Sequence, residues 1–86
     1  MSYSVIIEKS AQKFLARLAK PERDRILAAI RMLPFEGDIR PLQGGNNAGL
    51  FRLRVGHYRI IYCVDHGKLI VCVIDAGNRG QIYNRY

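Results

Sequence analysis

The stretch Phe51-Arg52-Leu53-Arg54-Val55-Gly56-His57-Tyr58-Arg59 reads as two strands and a tight turn. Gly56-His57 fits a two-residue II′ turn, which takes glycine at its first central position. Side chains alternate along a strand. Phe51, Leu53 and Val55 therefore point one way, and Leu50, Arg52 and Arg54 the other. The turn pairs Val55 with Tyr58 and Arg54 with Arg59, which puts Arg52, Arg54 and Arg59 on one face. The apolar residues must meet the core, so the arginines face away from it. Like charges directly opposite on a sheet are destabilising by up to ~1 kcal/mol. Either the long side chains splay into water, or the pairing serves a pocket built to receive an anion. The second alternative is expected here.

A third strand run, about Leu69 to Asp75, follows Asp65-His66-Gly67-Lys68. With His66-Gly67 as the loop, Cys63 falls opposite Ile70, Ile61 opposite Cys72 and Arg59 opposite Ile74. The arginine face then ends in an exposed apolar patch of Ile61, Ile70, Cys72 and Ile74. The two cysteines become diagonal neighbours, too far apart for an unstrained disulfide. Upstream, Tyr3 to Ile7 reads as a first strand. Ser10 suits the N-cap of a helix to about Ala19, with Ala11, Phe14, Leu15 and Leu18 on one face. Pro21 suits the first turn of a second helix, with Glu22 and Asp24 complementing its dipole. Its stripe is Ile26, Leu27, Ile30 and Leu33, and Pro34 ends it. From Phe35 to Gly49 there is no periodicity, and Pro41, Gly44, Gly45, Asn46, Asn47 and Gly49 mark a long loop. The tail AGNRGQIYNRY reads as an irregular edge segment. The order is β-α-α-β-β-β: an α+β fold, one domain over residues 1–86, with a small, mostly antiparallel sheet and a two-helix hairpin on one face.

The chain has 86 residues and 49% apolar side chains, enough for a modest core and too many for disorder. No apolar run reaches the ~18 residues of a membrane span, and the first residues lack a leader pattern, so a cytoplasmic location is expected. Fourteen Lys and Arg against seven Asp and Glu give +7. The excess is uneven. Residues 1–39 hold seven basic and five acidic side chains, +2, whereas residues 40–86 hold seven and two, +5. Six of the latter seven cations are arginine, the side chain suited to bidentate phosphate contact. A basic half-domain points to a polyanion or an acidic partner. Cys63 and Cys72 sit in apolar strands and read as core residues. No CxxC is present and His57 and His66 fall in turns, so neither a metal nor a cofactor is expected.

The run F-R-L-R-V-G-x-Y-R-I-I-Y (Phe51 to Tyr62), an apolar strand, then G-x-R-x-x-x-Y (Gly77, Arg79, Tyr83) resembles the RelE/ParE superfamily of type II toxin–antitoxin toxins. The resemblance covers essentially the whole chain. Its RelE branch implies a ribosome-dependent endoribonuclease that cuts mRNA in the decoding A site, with contacts to 16S rRNA. It implies that Arg59 and Arg79 hold the scissile phosphate and that Tyr83 takes part in proton transfer. Arg52 and Arg54 match positions that are often lysine. Guanidinium hardly deprotonates, so neither is expected to donate a proton. Asn78 stands where many relatives carry histidine.

The expected catalytic set is Arg54, Arg59, Arg79 and Tyr83. RNA contacts are expected from Arg52, Arg54, Arg59, Arg40, Lys68 and Arg85. RNA carries its own nucleophile, the 2′-OH, so cleavage needs a base, cations for the developing charge and help for the leaving oxygen. Neighbouring cations would lower the Tyr83 pKa from its usual ~10. Alternatively, Tyr83 is a packing residue near the end of the chain. Tyr58 and Tyr62 are expected under the helices, and Asp65 and Asp75 read as structural. The implied protein partner is an acidic antitoxin over the arginine face. Two competing functions are a ParE-like gyrase inhibitor and a non-catalytic RNA-binding module. An RNA-binding module would be expected to interleave aromatics with the exposed cations.

Overall fold

The computed structural model describes residues 2–83 and Tyr86, with Asn46 and Tyr83 described by their backbone alone. The elements are β1 (Ser4–Ile7), α1 (Lys9–Ala16), α2 (Lys20–Arg31), β2 (Asp38–Pro41), β3 (Phe51–Val55), β4 (Tyr58–Asp65), β5 (Ile70–Asn78) and α3 (Arg79–Tyr83). The five strands lie in the order β1-β5-β4-β3-β2. Only β1, at the edge, runs parallel to its neighbour β5. The expected α+β architecture is present, with two elements more than the sequence suggested.

The helical hairpin packs one face of the sheet. Ala11 and Leu15 of α1 and Ile26 and Ile30 of α2 meet Leu53, Val55, Ile60, Tyr62, Val71 and Val73 in one core cluster. Each large apolar side chain buried there contributes roughly 1.5–3 kcal/mol. Tyr62 is buried and Tyr58 half-buried under the helices, as their alternation with the arginines requires. Pro occupies the first turn of α2, as expected. Ser10 does not cap α1. The N-cap is Glu8, without a side-chain bond, and Ser10 Oγ instead donates to Asp75 Oδ1 at 2.7 Å, tying the helix to β5.

The first hairpin has the expected register: Val55 opposite Tyr58, Arg54 opposite Arg59. Gly56 takes φ 57 and His57 is not at positive φ, as a II′ turn demands. The second hairpin corrects the expected register. Residues 66–69 form a four-residue loop closed by Asp65 opposite Ile70. Asp65 Oδ1 accepts the Lys68 N–H at 3.0 Å, and Leu69 turns the chain at φ 55. The longer loop slides the pairing by two residues, so Cys63 lies directly opposite Cys72 rather than diagonal to it. Ile74 is then an extra residue: Tyr62 pairs with Val73 but Ile61 with Asp75. This bulge sets Arg59 opposite Gly77, not Ile74.

Two further expectations fail. The segment expected to be loop contains β2, whose pairing with β3 sets Asp38 opposite Arg54 and Arg40 opposite Arg52. The tail is helical from Arg79 to Tyr83 and packs on β4 and β5. Ile61 and Ile82 are both 1% exposed yet lie outside the main core cluster. The expected open patch is therefore reduced: Ile61 is buried, and Ile70, Cys72 and Ile74 are half-buried.

Candidate functional site

Three strands and one short helix converge on a cleft of about 240 Å³ lined by Asp38, Arg40, Arg52, Arg54, Arg59 and Arg79. β2 brings Arg40 and Asp38 beside Arg52 and Arg54. The β3–β4 turn brings Arg54 and Arg59 together. The Arg79 N–H donates to the His57 carbonyl at 3.1 Å, which pins the start of α3 to that turn. Five guanidinium groups thus share one cleft with one carboxylate.

The arginines are not equivalent. Asp38 Oδ1 accepts from Arg52 Nη2 at 3.1 Å, and Asp38 Oδ2 lies 4.0 Å from Arg54 Nε. Arg59 is 4% exposed. Its Nη1 donates to the Gly56 and Tyr58 carbonyls, both at 3.2 Å. Among the described residues it has no carboxylate partner, and its buried Nε, like that of Arg52, has no acceptor. A buried cation without a counter-ion is costly. An anion entering the cleft supplies both the charge and the acceptor.

Of the expected site residues, Arg40, Arg52, Arg54, Arg59 and Arg79 come together. Lys68 does not: it sits in the β4–β5 loop, beyond Asp65 at the far end of β4 from Arg59. Tyr83 is the last residue of α3, its side chain outside the description, and Arg85 lies outside the described residues. Asp38 was missed. Its signal is the alternation of Asp38, Ile39 and Arg40, which reads as a short edge strand carrying both charges on one face.

Three groups are moved away from proton transfer at neutral pH. A hydrogen bond to the Glu22 carboxylate, then burial, raises the Tyr58 pKa. Burial raises that of Tyr62. Cys72 is pushed up to about 11, first by burial and then by its contact with Glu8. Among the described residues, no three His, Cys, Asp or Glu side chains are grouped to hold a metal, and no helix is long and apolar enough to cross a membrane.

A family model described as the ParE toxin of type II toxin–antitoxin system, parDE, matches residues 5–83. Toxin RelG of Mycobacterium tuberculosis is 34% identical over 92 residues, covering 99% of this chain and all of the relative. The archaeal RelE–RelB complex from Pyrococcus horikoshii contains a chain 31% identical, with a TM-score of 0.76 over 94% of this chain and 99% of the other. The toxin–antitoxin complex RelBE2 of M. tuberculosis gives 30% identity and a TM-score of 0.65 over 92% and 100%. The isolated E. coli RelE toxin, 22% identical, shares the fold at a TM-score of 0.69 over 98% and 94%. The chain belongs to the RelE/ParE superfamily of type II toxin–antitoxin toxins.

Proposed function

We propose that this toxin is a RelE-like mRNA interferase: it cleaves mRNA in the ribosomal A site through the RNA's own 2′-OH, and so inhibits translation. The observation that carries this reading is the buried Arg59, without a counter-ion among the described residues, in a cleft with four more arginines. A scissile phosphate in the cleft would neutralise Arg59 and accept from its Nε. Arg79 and Arg54 would bind the charge that grows on the phosphate in the transition state, where preorganised donors are worth most. Tyr83 would take the 2′-OH proton, the role that the family resemblance implies for it. The products would be a 2′,3′-cyclic phosphate, or its hydrolysed form, and a 5′-OH. This chemistry asks for no metal.

The matching family model carries the ParE name, which favours a second reading, a gyrase poison without nuclease chemistry. A ParE-like mode of action does not explain why five arginines meet in one cleft. Mapping RNA 5′ ends after induction separates the two. Cuts inside translated codons, with 5′-OH termini, support the interferase. Intact mRNA with trapped gyrase and broken DNA sinks it.

The relatives from P. horikoshii and M. tuberculosis were solved as complexes with antitoxins. By extension, an acidic antitoxin covers the arginine cleft of this chain and keeps it silent.

A further inference from the structure

The observed register of the second hairpin brings two thiols together. Cys63 of β4 lies directly opposite Cys72 of β5, and both are free and half-buried. Directly opposed residues share one sheet face, with Cα atoms about 4.5–5.5 Å apart. A disulfide spans about 4.4–6.8 Å between Cα atoms, so this pair can close with little movement of either strand. The two side chains already interact. Burial first, then the Glu8 carboxylate, then the Cys63 side chain hold the Cys72 proton in place. Glu8 Oε1, at the N-cap of α1, accepts from Cys72 Sγ at 3.3 Å. One thiol thus faces a second across the ladder, and the second is hydrogen-bonded to a carboxylate. Apolar packing would be met as well by alanine or valine, and it gives no reason for a carboxylate bonded to a thiol.

We propose that Cys63, Cys72 and Glu8 form a thiol-exchange site, which a low-molecular-weight disulfide converts to a cross-strand disulfide. The attacking species in such exchange is the thiolate. Cys72 is pushed up to about 11 and keeps its proton through neutral pH, so the first attack falls to Cys63. The Cys63 thiolate bonds to one sulfur of the small disulfide, whose other half leaves as a thiolate. Cys72 Sγ then attacks the Cys63 sulfur of this mixed disulfide, and the second small thiolate leaves. Glu8 is placed to take the Cys72 proton as that bond forms and to pass it on. Each leaving thiolate takes up one proton. The two protein thiols are oxidised to one disulfide and the small disulfide is reduced to two thiols. The bond closes the loop of residues 63–72 and ties β4, which carries Arg59, to β5, which runs into Arg79. It lies outside the arginine cleft, so its effect is on the stability of the strands that hold the cleft. None of this depends on what the cleft binds.

The test equilibrates the purified full chain with oxidised and reduced glutathione over a range of ratios at neutral pH. Samples are quenched with acid, free thiols are blocked with a maleimide, and intact mass is read; the melting temperature is taken in parallel. The expected product is a monomer lighter than the reduced chain by a pair of hydrogens, without maleimide, that melts on the order of 10 °C higher. Dithiothreitol should reverse both changes. Cys72→Ser is expected to stop at a glutathione adduct on Cys63, with no thermal gain. Cys63→Ser is expected to keep its Cys72 thiol free. Alanine at each position gives the same readouts without placing a hydroxyl among apolar neighbours. Glu8→Gln is expected to reach the same disulfide on the order of tenfold more slowly. Free thiols at every ratio, glutathione adducts on both cysteines, or links only between chains overturn the proposal. So does a disulfide that forms without raising the melting temperature. First modification at Cys72 overturns the assigned order of attack, and closure of Glu8→Gln at the wild-type rate overturns the role given to Glu8.

Discussion

Arg54 and Arg59 are directly opposed across the β3–β4 ladder, yet Arg54 is exposed and Arg59 is 4% exposed. The difference comes from where each guanidinium goes. Arg59 folds back onto the carbonyls of Gly56 and Tyr58, whereas Arg54 leans toward Asp38 across the cleft. One arginine is part of the wall and the other part of the rim.

That asymmetry predicts different outcomes for two alanine variants. Arg79→Ala removes an exposed side chain and is expected to lose 10²–10³ in cleavage rate, about 3–4 kcal/mol, with an unchanged melting temperature. Arg59→Ala is expected to lose activity as well and to lose roughly 1–3 kcal/mol of stability, because two carbonyls lose their donor and a space opens in the sheet face. Inorganic phosphate should raise the melting temperature of the wild type and not that of Arg59→Ala. A folded Arg79→Ala that kills at the wild-type rate removes Arg79 from the site. Tyr83→Phe keeps the ring and deletes the proton acceptor; unchanged cleavage by it returns Tyr83 to a packing role.

Among the described residues, Asp38 is the one acidic group lining the cleft, and it holds Arg52 and Arg54. Asp38→Asn frees both cations, so the affinity for single-stranded RNA is expected to rise several-fold at low salt. The gain should fade toward ~1 M salt, where the Debye length is about 3 Å. Fluorescence anisotropy against salt measures it. A fall in affinity would show that Asp38 serves to aim the two arginines rather than to restrain them.

The first hairpin was legible because strand alternation and a Gly-first turn leave one register open, and the observed pairing of Arg54 with Arg59 is that register. The second was not. Its loop length depends on Leu69 taking φ 55 and on a side-chain bond from Asp65, neither of which periodicity reports. The bulge at Ile74 is likewise silent in an unbroken apolar run. β2 was lost among the prolines and glycines around it, and with it Asp38. The five arginines that meet in the cleft were all named from the sequence; the burial of Arg59 was not, because alternation gives a face but no depth.

The Cys72 thiol, pushed up to about 11 from 9.0 mainly by burial, gives a pH dependence with a definite sign. Between these values the unfolded chain releases the thiol proton while the fold retains it. The contribution is therefore complete below pH 9 and declines as pH rises from 9 to 11. Tyr62 acts in the same direction. Urea unfolding of the wild type and Cys72→Ala at pH 8 and pH 10.5 should show a smaller alkaline loss in the variant. Alkylation of Cys72 by iodoacetamide should be slow at pH 8 and accelerate above pH 10. Rapid alkylation at pH 8 would mean that the thiol is not protected.

The last prediction concerns the proposed antitoxin. The sheet face that carries the arginine cleft continues into a half-buried apolar row, in which Cys72 lies between Cys63 and Ile6, and Ile6 is 48% exposed. Cationic and apolar surface side by side fits an acidic, amphipathic segment. Charge steers encounter, whereas desolvated apolar contacts mainly set residence time. Arg54→Glu is therefore expected to slow association with the co-expressed antitoxin, and Ile70→Asp or Ile6→Asp to speed dissociation. Raising salt should reduce the on-rate far more than the off-rate. Stopped-flow association and a dilution chase measure the two rates separately. If none of the three variants alters either rate, the antitoxin binds over the helices, and the arginine cleft is silenced without being covered.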